Sequence, residues 1–212
     1  DRALILNDDA IVNPSCIETL LSDWGPQDGA LGPVLLDPQG RATSGIYVGR
    51  FGRVRARRGE APGPVDAVSG AAMLLRTSER FDDGYVHGFE DIALCRGLRE
   101  RALAVRVVAE AFCQHVGGAT VHPRSRWAQR AALYGHLRFV GSGWRQIVVV
   151  ALALAQVVRE RGPLNRVVGV AQACQDAWFR SYSAEGAGAS SAASSARAEE
   201  MASARPGSIR TR

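Results

Sequence analysis

The sequence predicts an α/β fold, a mixed sheet flanked by helices and followed by a helical extension. Three observations carry it. Short apolar runs at 3–6, 31–36, 46–48 and 104–108 read as strands. Segments beginning near residues 14 and 90 place apolar residues at helical spacing between those strands. From residue 127 to 182 only helical patterns remain, broken by Gly141-Ser142-Gly143.

The first strand, 2–6, ends in Asn7-Asp8-Asp9, three polar acceptors where open α/β sheets place ligands. A carboxylate there suits Mg²⁺ or Mn²⁺, hard cations that share oxygen ligands with substrate phosphates; the plain alternative is an Asx turn. Asn13 as cap and Pro14 at the first helical position start a helix whose apolar face is Ile17, Leu20 and Leu21. The second strand, 31–36, closes on the turn signal Asp37-Pro38-Gln39-Gly40. A third follows at 46–48.

An arginine-rich patch comes next: Arg50, Arg53, Arg55, Arg57 and Arg58. Its ordinary reading is a solvated loop, and its functional one a loop that attracts a phosphorylated or lipid-linked acceptor. Residues 65–76 read as an apolar strand region interrupted by Ser69-Gly70, where glycine admits a close backbone or ligand, or marks a bulge. The segment 81–98 centres on the adjacent acids Glu90 and Asp91, with Ile92, Cys95 and Leu98 at helical spacing behind them. A helix starting at the acids puts Asp91 in its first turn, where free N–H groups and the helix dipole favour the ionised carboxylate a general base needs. The competing reading is a helix cap without chemistry.

After the strand at 104–108, His115 stands at the end of an apolar segment before Gly117-Gly118. A lone histidine is usually structural; its neighbours make it a metal candidate. Helices are predicted at 127–139, 146–159 and 165–182. The apolar run 147–155 is short for a membrane span and has arginine on both sides, which leaves a buried helix or one lying on a membrane. Residues 183–212 are Ala, Ser, Gly and Arg with almost no large apolar residue, the composition of a disordered tail.

Composition narrows the classes. The chain has 212 residues, room for one domain with appendages. All 26 basic residues are arginine, and the net charge of +5 suits an anionic substrate or a membrane surface. Zinc-finger spacing, aromatic RNA-binding motifs and a DNA-reading helix are missing from the pattern, so nucleic acid is not an expected partner. Cys16, Cys95, Cys113 and Cys174 are widely spaced in apolar contexts, as small core residues of a reducing compartment.

Five short motifs in order carry a resemblance: Leu-Asn-Asp-Asp at 6–9, Val-Ser-Gly-Ala-Ala-Met-Leu at 68–74, Phe-Asp-Asp-Gly-Tyr at 81–85, Glu-Asp-Ile-Ala-Leu-Cys at 90–95 and His-Val-Gly-Gly at 115–118. Together they resemble family 2 glycosyltransferases, most closely the rhamnosyltransferase and galactofuranosyltransferase branch with the GT-A fold. The match covers roughly residues 1–120, with an echo at 134–139. The resemblance implies inverting transfer of a sugar from a nucleotide-diphosphate donor to a glycan or lipid-linked acceptor, with a divalent cation, Mg²⁺ or Mn²⁺.

By that resemblance Asp91 is the catalytic base with Glu90 as its acidic neighbour. Asp9, Asn7 and His115 hold the metal, and Asn7, Asp8, Ser69 and Gly70 contact the donor. Position 93, where many relatives carry another acid, is Ala93. The family's N-terminal nucleotide-gripping half has no counterpart in these residues, so the chain is expected to bind donor poorly by itself. The implied organisation is a partial GT-A domain over 1–122 (the metal and acceptor half), a helical extension over 123–182 and the tail. The implied location is the cytoplasm, with peripheral contact at the inner face of the plasma membrane. Two other classes stay open: a non-catalytic remnant or interaction module, and a metal-dependent phosphoesterase using the same acids.

Overall fold

A computed structural model of the chain describes residues 1–116, 125–159 and 164–179. The fold is mixed α/β. Eight strands make one sheet: β1 (Arg2–Leu6), β2 (Ala10–Val12), β3 (Asp28–Leu36), β4 (Ala42–Val48), β5 (Val54–Arg58), β6 (Gly63–Pro64), β7 (Ala72–Arg76) and β8 (Ala104–His115). The path β1-β7-β3-β4-β5 is antiparallel throughout, while β8 runs parallel to β3 and also pairs with β2 and β6. Helices α1 (Pro14–Asp23) and α2 (Glu90–Glu100) flank the sheet, and α3 (Arg126–Val140), α4 (Trp144–Arg159) and α5 (Leu164–Phe179) follow it.

Alternation along the strands builds two cores. Leu31 and Leu74 join Cys16 and Leu20 of α1 in one cluster, whereas Ala30, Met73 and Leu75 join Ile92, Cys95 and Leu98 of α2 in the other. Successive side chains of a strand point to opposite faces, so a helix covers each face. The α1 cap is as expected, since the Asn13 side chain accepts from the Cys16 N–H at 2.7 Å. Its buried face differs: Cys16 and Leu20 are enclosed, but Leu21 is exposed, because the helix turns it away from β3 and β8.

Three sequence expectations change in the folded chain. The arginine patch is a short 3₁₀ turn at Arg50–Gly52 followed by edge strand β5, whose ladder to β4 supplies the hydrogen bonds a loop would lack. The apolar region at 65–76 is strand only from Ala72, because a turn at Ser69 to Ala72 interrupts it. Finally, β8 runs on to His115, through an irregularity opposite Pro33 and Val34. The short partner strands β2 and β6 carried no sequence signal of their own.

Charges join the start of β3 to β8 and to the end of α1. Arg106 bridges Asp23 and Asp28, with its Nη2 2.6 Å from the Asp28 carboxylate. Burial opposes ionisation of Asp28, but hydrogen bonds from Arg106 and from the Gly25 N–H outweigh it and hold the carboxyl below its usual range. The stability this contributes is therefore present above the ordinary carboxylate pKa and lost as pH falls through the lowered one. Arg106→Met is expected to cost about 2–3 kcal/mol in urea unfolding, less than a fully buried pair because the arginine is partly wet. Adding Asp28→Asn recovers part of that loss by removing the stranded charge.

The trailing helices share a small core of Leu137, Val149, Val170 and Cys174, and Phe139 ties α3 to the main core. Helix α4 buries Val149 while Ile147 and Val158 remain largely exposed. Among the described residues no helix is long and apolar enough to cross a membrane. All four cysteines are free and buried. Gly117-Gly118, residues 180–182 of the last predicted helix and the tail at 183–212 lie outside the described residues.

Candidate active site

Helix α2 begins at the two acids, and what precedes it is unusual. Its N-cap is Phe89, with φ of 73° and no side-chain cap. A left-handed conformation in a bulky residue costs of order 1–3 kcal/mol and persists only where its surroundings impose it. Here they do: the Phe89 ring stacks on His136 at 4.9 Å and 12°, and meets Phe139 at 5.5 Å. Gly135 of α3 lies against the Gly88 carbonyl, so closely that a Cβ there would stand 2.5 Å from the oxygen. Arg138 grips the loop from above, donating to Asp82 at 2.9 and 3.0 Å and lying over the Tyr85 ring.

Asp91 does not act as an ordinary cap. Its Oδ1 accepts from the Ile92 N–H at 2.8 Å, and its Oδ2 reaches another element to accept from the Gly70 N–H, also at 2.8 Å. Desolvation by burial raises its pKa from the ordinary carboxylate value to about 6, the Gly70 N–H opposes the rise, and the Glu90 charge adds to it. A base of that pKa is ionised at neutral pH yet close enough to accept a proton readily. Glu90 carries a buried Oε2 with no hydrogen-bond partner among the described residues.

Gly70 is in a turn, and this turn links the acids to the first strand. Pairing of β1 with β7 sets Leu6 opposite Ala72, so the Asn7 N–H donates to the Ala71 carbonyl at 3.0 Å. Asn7 in turn accepts from the Ala10 N–H at 3.2 Å, closing a tight turn around Asp8 and Asp9. Strand β2 then pairs with the end of β8 and sets Ala10 opposite His115. The result is a contact of 3.2 Å between His115 Nε2 and Asp9 Oδ1, with the Asp9 side chain 10% exposed.

The fold thus brings Asp9 and His115 into direct contact, sets Asn7 and Asp8 in the adjoining turn, and joins Asp91 to Gly70 one residue from Ala71. Glu90 precedes Asp91 at the start of the helix. Ser69 also borders a small cavity of about 130 Å³ with Thr43, Gly45 and Val107. Among the described residues no three His, Cys, Asp or Glu side chains converge as a metal set. The Asp9 carboxylate is a donor that suits a hard divalent cation sharing its shell with phosphate and water, whereas the His115 imidazole is a ligand more usual for softer divalent metals.

Sequence reading missed Phe89, Gly135, Arg138 and His136, the residues that hold the acidic turn. Helix α3 was legible; its docking partner was not. A cleft of about 1420 Å³ lies apart from these residues, and of the acidic turn only Phe89 borders it. No family model and no curated protein matches the chain.

Proposed function

We propose that the chain carries the metal-binding and acceptor-activating groups of an inverting GT-A glycosyltransferase of family 2 type. It moves a sugar from a nucleotide-diphosphate donor to a glycan or lipid-linked acceptor, with Asp91 as general base. The observation that carries this reading is the Asp91 carboxylate, desolvated, fixed by two backbone N–H groups and raised to about 6. A cap needs only the N–H groups of its own first turn, whereas Asp91 is also held by the Gly70 N–H of another element. The contact between Asp9 and His115 at the end of the neighbouring strands supports it as well.

In this mechanism the Asp91 carboxylate takes the proton of the acceptor hydroxyl as that oxygen bonds to the anomeric carbon. The bond from that carbon to the diphosphate oxygen breaks, with inversion. Gly70 and Ile92 keep the carboxylate oriented, and Glu90 beside it disfavours a second negative charge and so favours proton uptake. When held by Asp9 and His115, with Asn7 beside them, a divalent cation supplies Lewis-acid neutralisation of the diphosphate charge.

A second reading, a non-catalytic interaction module, is favoured by one observation: the 1420 Å³ cleft is bordered by none of the eight residues assigned to chemistry. The deciding assay is sugar transfer by the complete native polypeptide containing this sequence, with added Mg²⁺ or Mn²⁺ and with chelator. Transfer is expected to require the metal. Asp9→Asn should lower it on the order of a hundredfold, the worth of a few kcal/mol of charge stabilisation. Hydrolysis of phosphate esters without transfer would point to the phosphoesterase, and neither activity to the module.

A further inference from the structure

Helices α3, α4 and α5 enclose the 1420 Å³ cleft together with β4, the 3₁₀ turn and β5. Its lining includes Arg50, Arg53, Arg55, Arg126, Arg130, Arg159 and Arg166, and among the described residues no Asp or Glu. Arg130 forms a bidentate pair with Asp176 at 2.8 and 3.0 Å. Arg126 donates to Gln172, and Arg50 lies over the Phe51 ring. Arg53 and Arg55 have no ion-pair partner among the described residues. Strand alternation explains why they share a wall: positions 53 and 55 of the edge segment face alike, and Arg55 is opposite Tyr47, another lining residue.

Arginines on an edge strand ordinarily discourage unwanted pairing. That accounts for β5 and not for the convergence of arginines from the 3₁₀ turn and three helices on one concavity. Gathered like charges repel unless an anion sits among them, and guanidinium forks match phosphate oxygens in particular. Gln129, Gln156, His136 and Tyr47 add polar groups to the lining, and Leu133, Val149, Leu152 and Val170 give it an apolar stretch along the helices. The volume exceeds that of common small-molecule sites, too large for a lone phosphate to fill. Basic and apolar side chains thus line one cleft.

We propose that this cleft binds a phosphate-bearing amphiphile, its headgroup on Arg53 and Arg55 and its hydrocarbon along Leu133 and Leu152. This is a claim about binding and is independent of the chemistry assigned to Asp91. The test is calorimetric titration of the full chain with dihexanoyl phosphatidic acid below its micellar concentration. Parallel arms use inorganic diphosphate, dihexanoyl phosphatidylcholine and vesicles of anionic lipid. The phosphatidic acid is expected to bind at least about tenfold more tightly than either soluble control, a difference of one charge-assisted or apolar contact.

The double variant Arg53→Gln/Arg55→Gln should weaken that binding by about tenfold or more while unfolding at the wild-type urea midpoint. Leu152→Ser should weaken the amphiphile and leave diphosphate unchanged. Three results would each overturn the proposal. Equal affinity for diphosphate and phosphatidic acid would reduce the cleft to a simple anion site. Binding to vesicles without binding to monomers would make it a surface-docking patch. A double variant that folds and binds like wild type would remove the arginines from recognition.

Discussion

Asp91→Asn is expected to lower sugar transfer by about 10²- to 10⁴-fold, the range for removing a general base, while metal binding at Asp9 and His115 stays unchanged. Wild-type kcat/KM should rise with pH and level off above about 6, where the Asp91 carboxyl is ionised. The same substitution has a stability signature. A carboxyl whose pKa is raised in the folded state stabilises while protonated, and that contribution is lost as pH rises from the unfolded value of 3.8 to about 6. Asparagine carries no such charge, so the variant gains on wild type across that window. The ceiling is about 3 kcal/mol at neutral pH, less what is lost when an amide N–H faces the Gly70 or Ile92 N–H. Activity measured against pH and urea unfolding at pH 4 and 7 check both halves. Unchanged transfer would remove Asp91 from the mechanism, whatever the unfolding curves do.

Gly135→Ala is expected to impair the site from a residue that touches no substrate. The new Cβ would stand 2.5 Å from the Gly88 carbonyl oxygen and 3.4 Å from the Phe89 Cβ. The oxygen belongs to backbone and cannot swing away, so either α3 or the turn before Glu90 must move. Overpacking of this kind costs about 1–3 kcal/mol, against which alanine returns up to about 1 kcal/mol in helix propensity. Transfer should fall by more than about tenfold, since displacement of a catalytic group by about an ångström costs on the order of a hundredfold. Gly97→Ala in α2 is the control: nothing lies within 4 Å of its Cβ position. It should raise stability by about 0.5–1 kcal/mol and leave transfer unchanged. Equal transfer by the two variants would mean that α3 does not position the acidic turn.

Helix α2 shows how far local pattern reaches. Ile92, Cys95 and Leu98 at helical spacing mark the element and its buried face, because the periodicity of one segment suffices to declare which side meets a core. Asn13 and Pro14 mark the start of α1 for the same reason, since a cap is a contact between near neighbours. Where the signal depended on a distant partner, local pattern fell short. The arginines at 53–58 look like a loop until β4 supplies a ladder for them, and Leu21 looks buried until the angle of α1 on β3 and β8 is known. Strands β2 and β6 are too short to announce themselves and exist only because β8 lies beside them.

The sequence by itself determined the mixed sheet flanked by helices, the apolar faces of α1 and α2 in outline, and the acids at the head of α2. Each is written in spacing along one segment. Only the tertiary structure decided that Asp91 reaches Gly70, that Asp9 meets His115, that Phe89 is forced into a left-handed conformation and that arginines from separate elements face one cleft. Those outcomes join residues far apart in the chain. Desolvation and charge proximity, which set the Asp91 carboxyl near 6, follow from the surroundings that such long-range pairing creates.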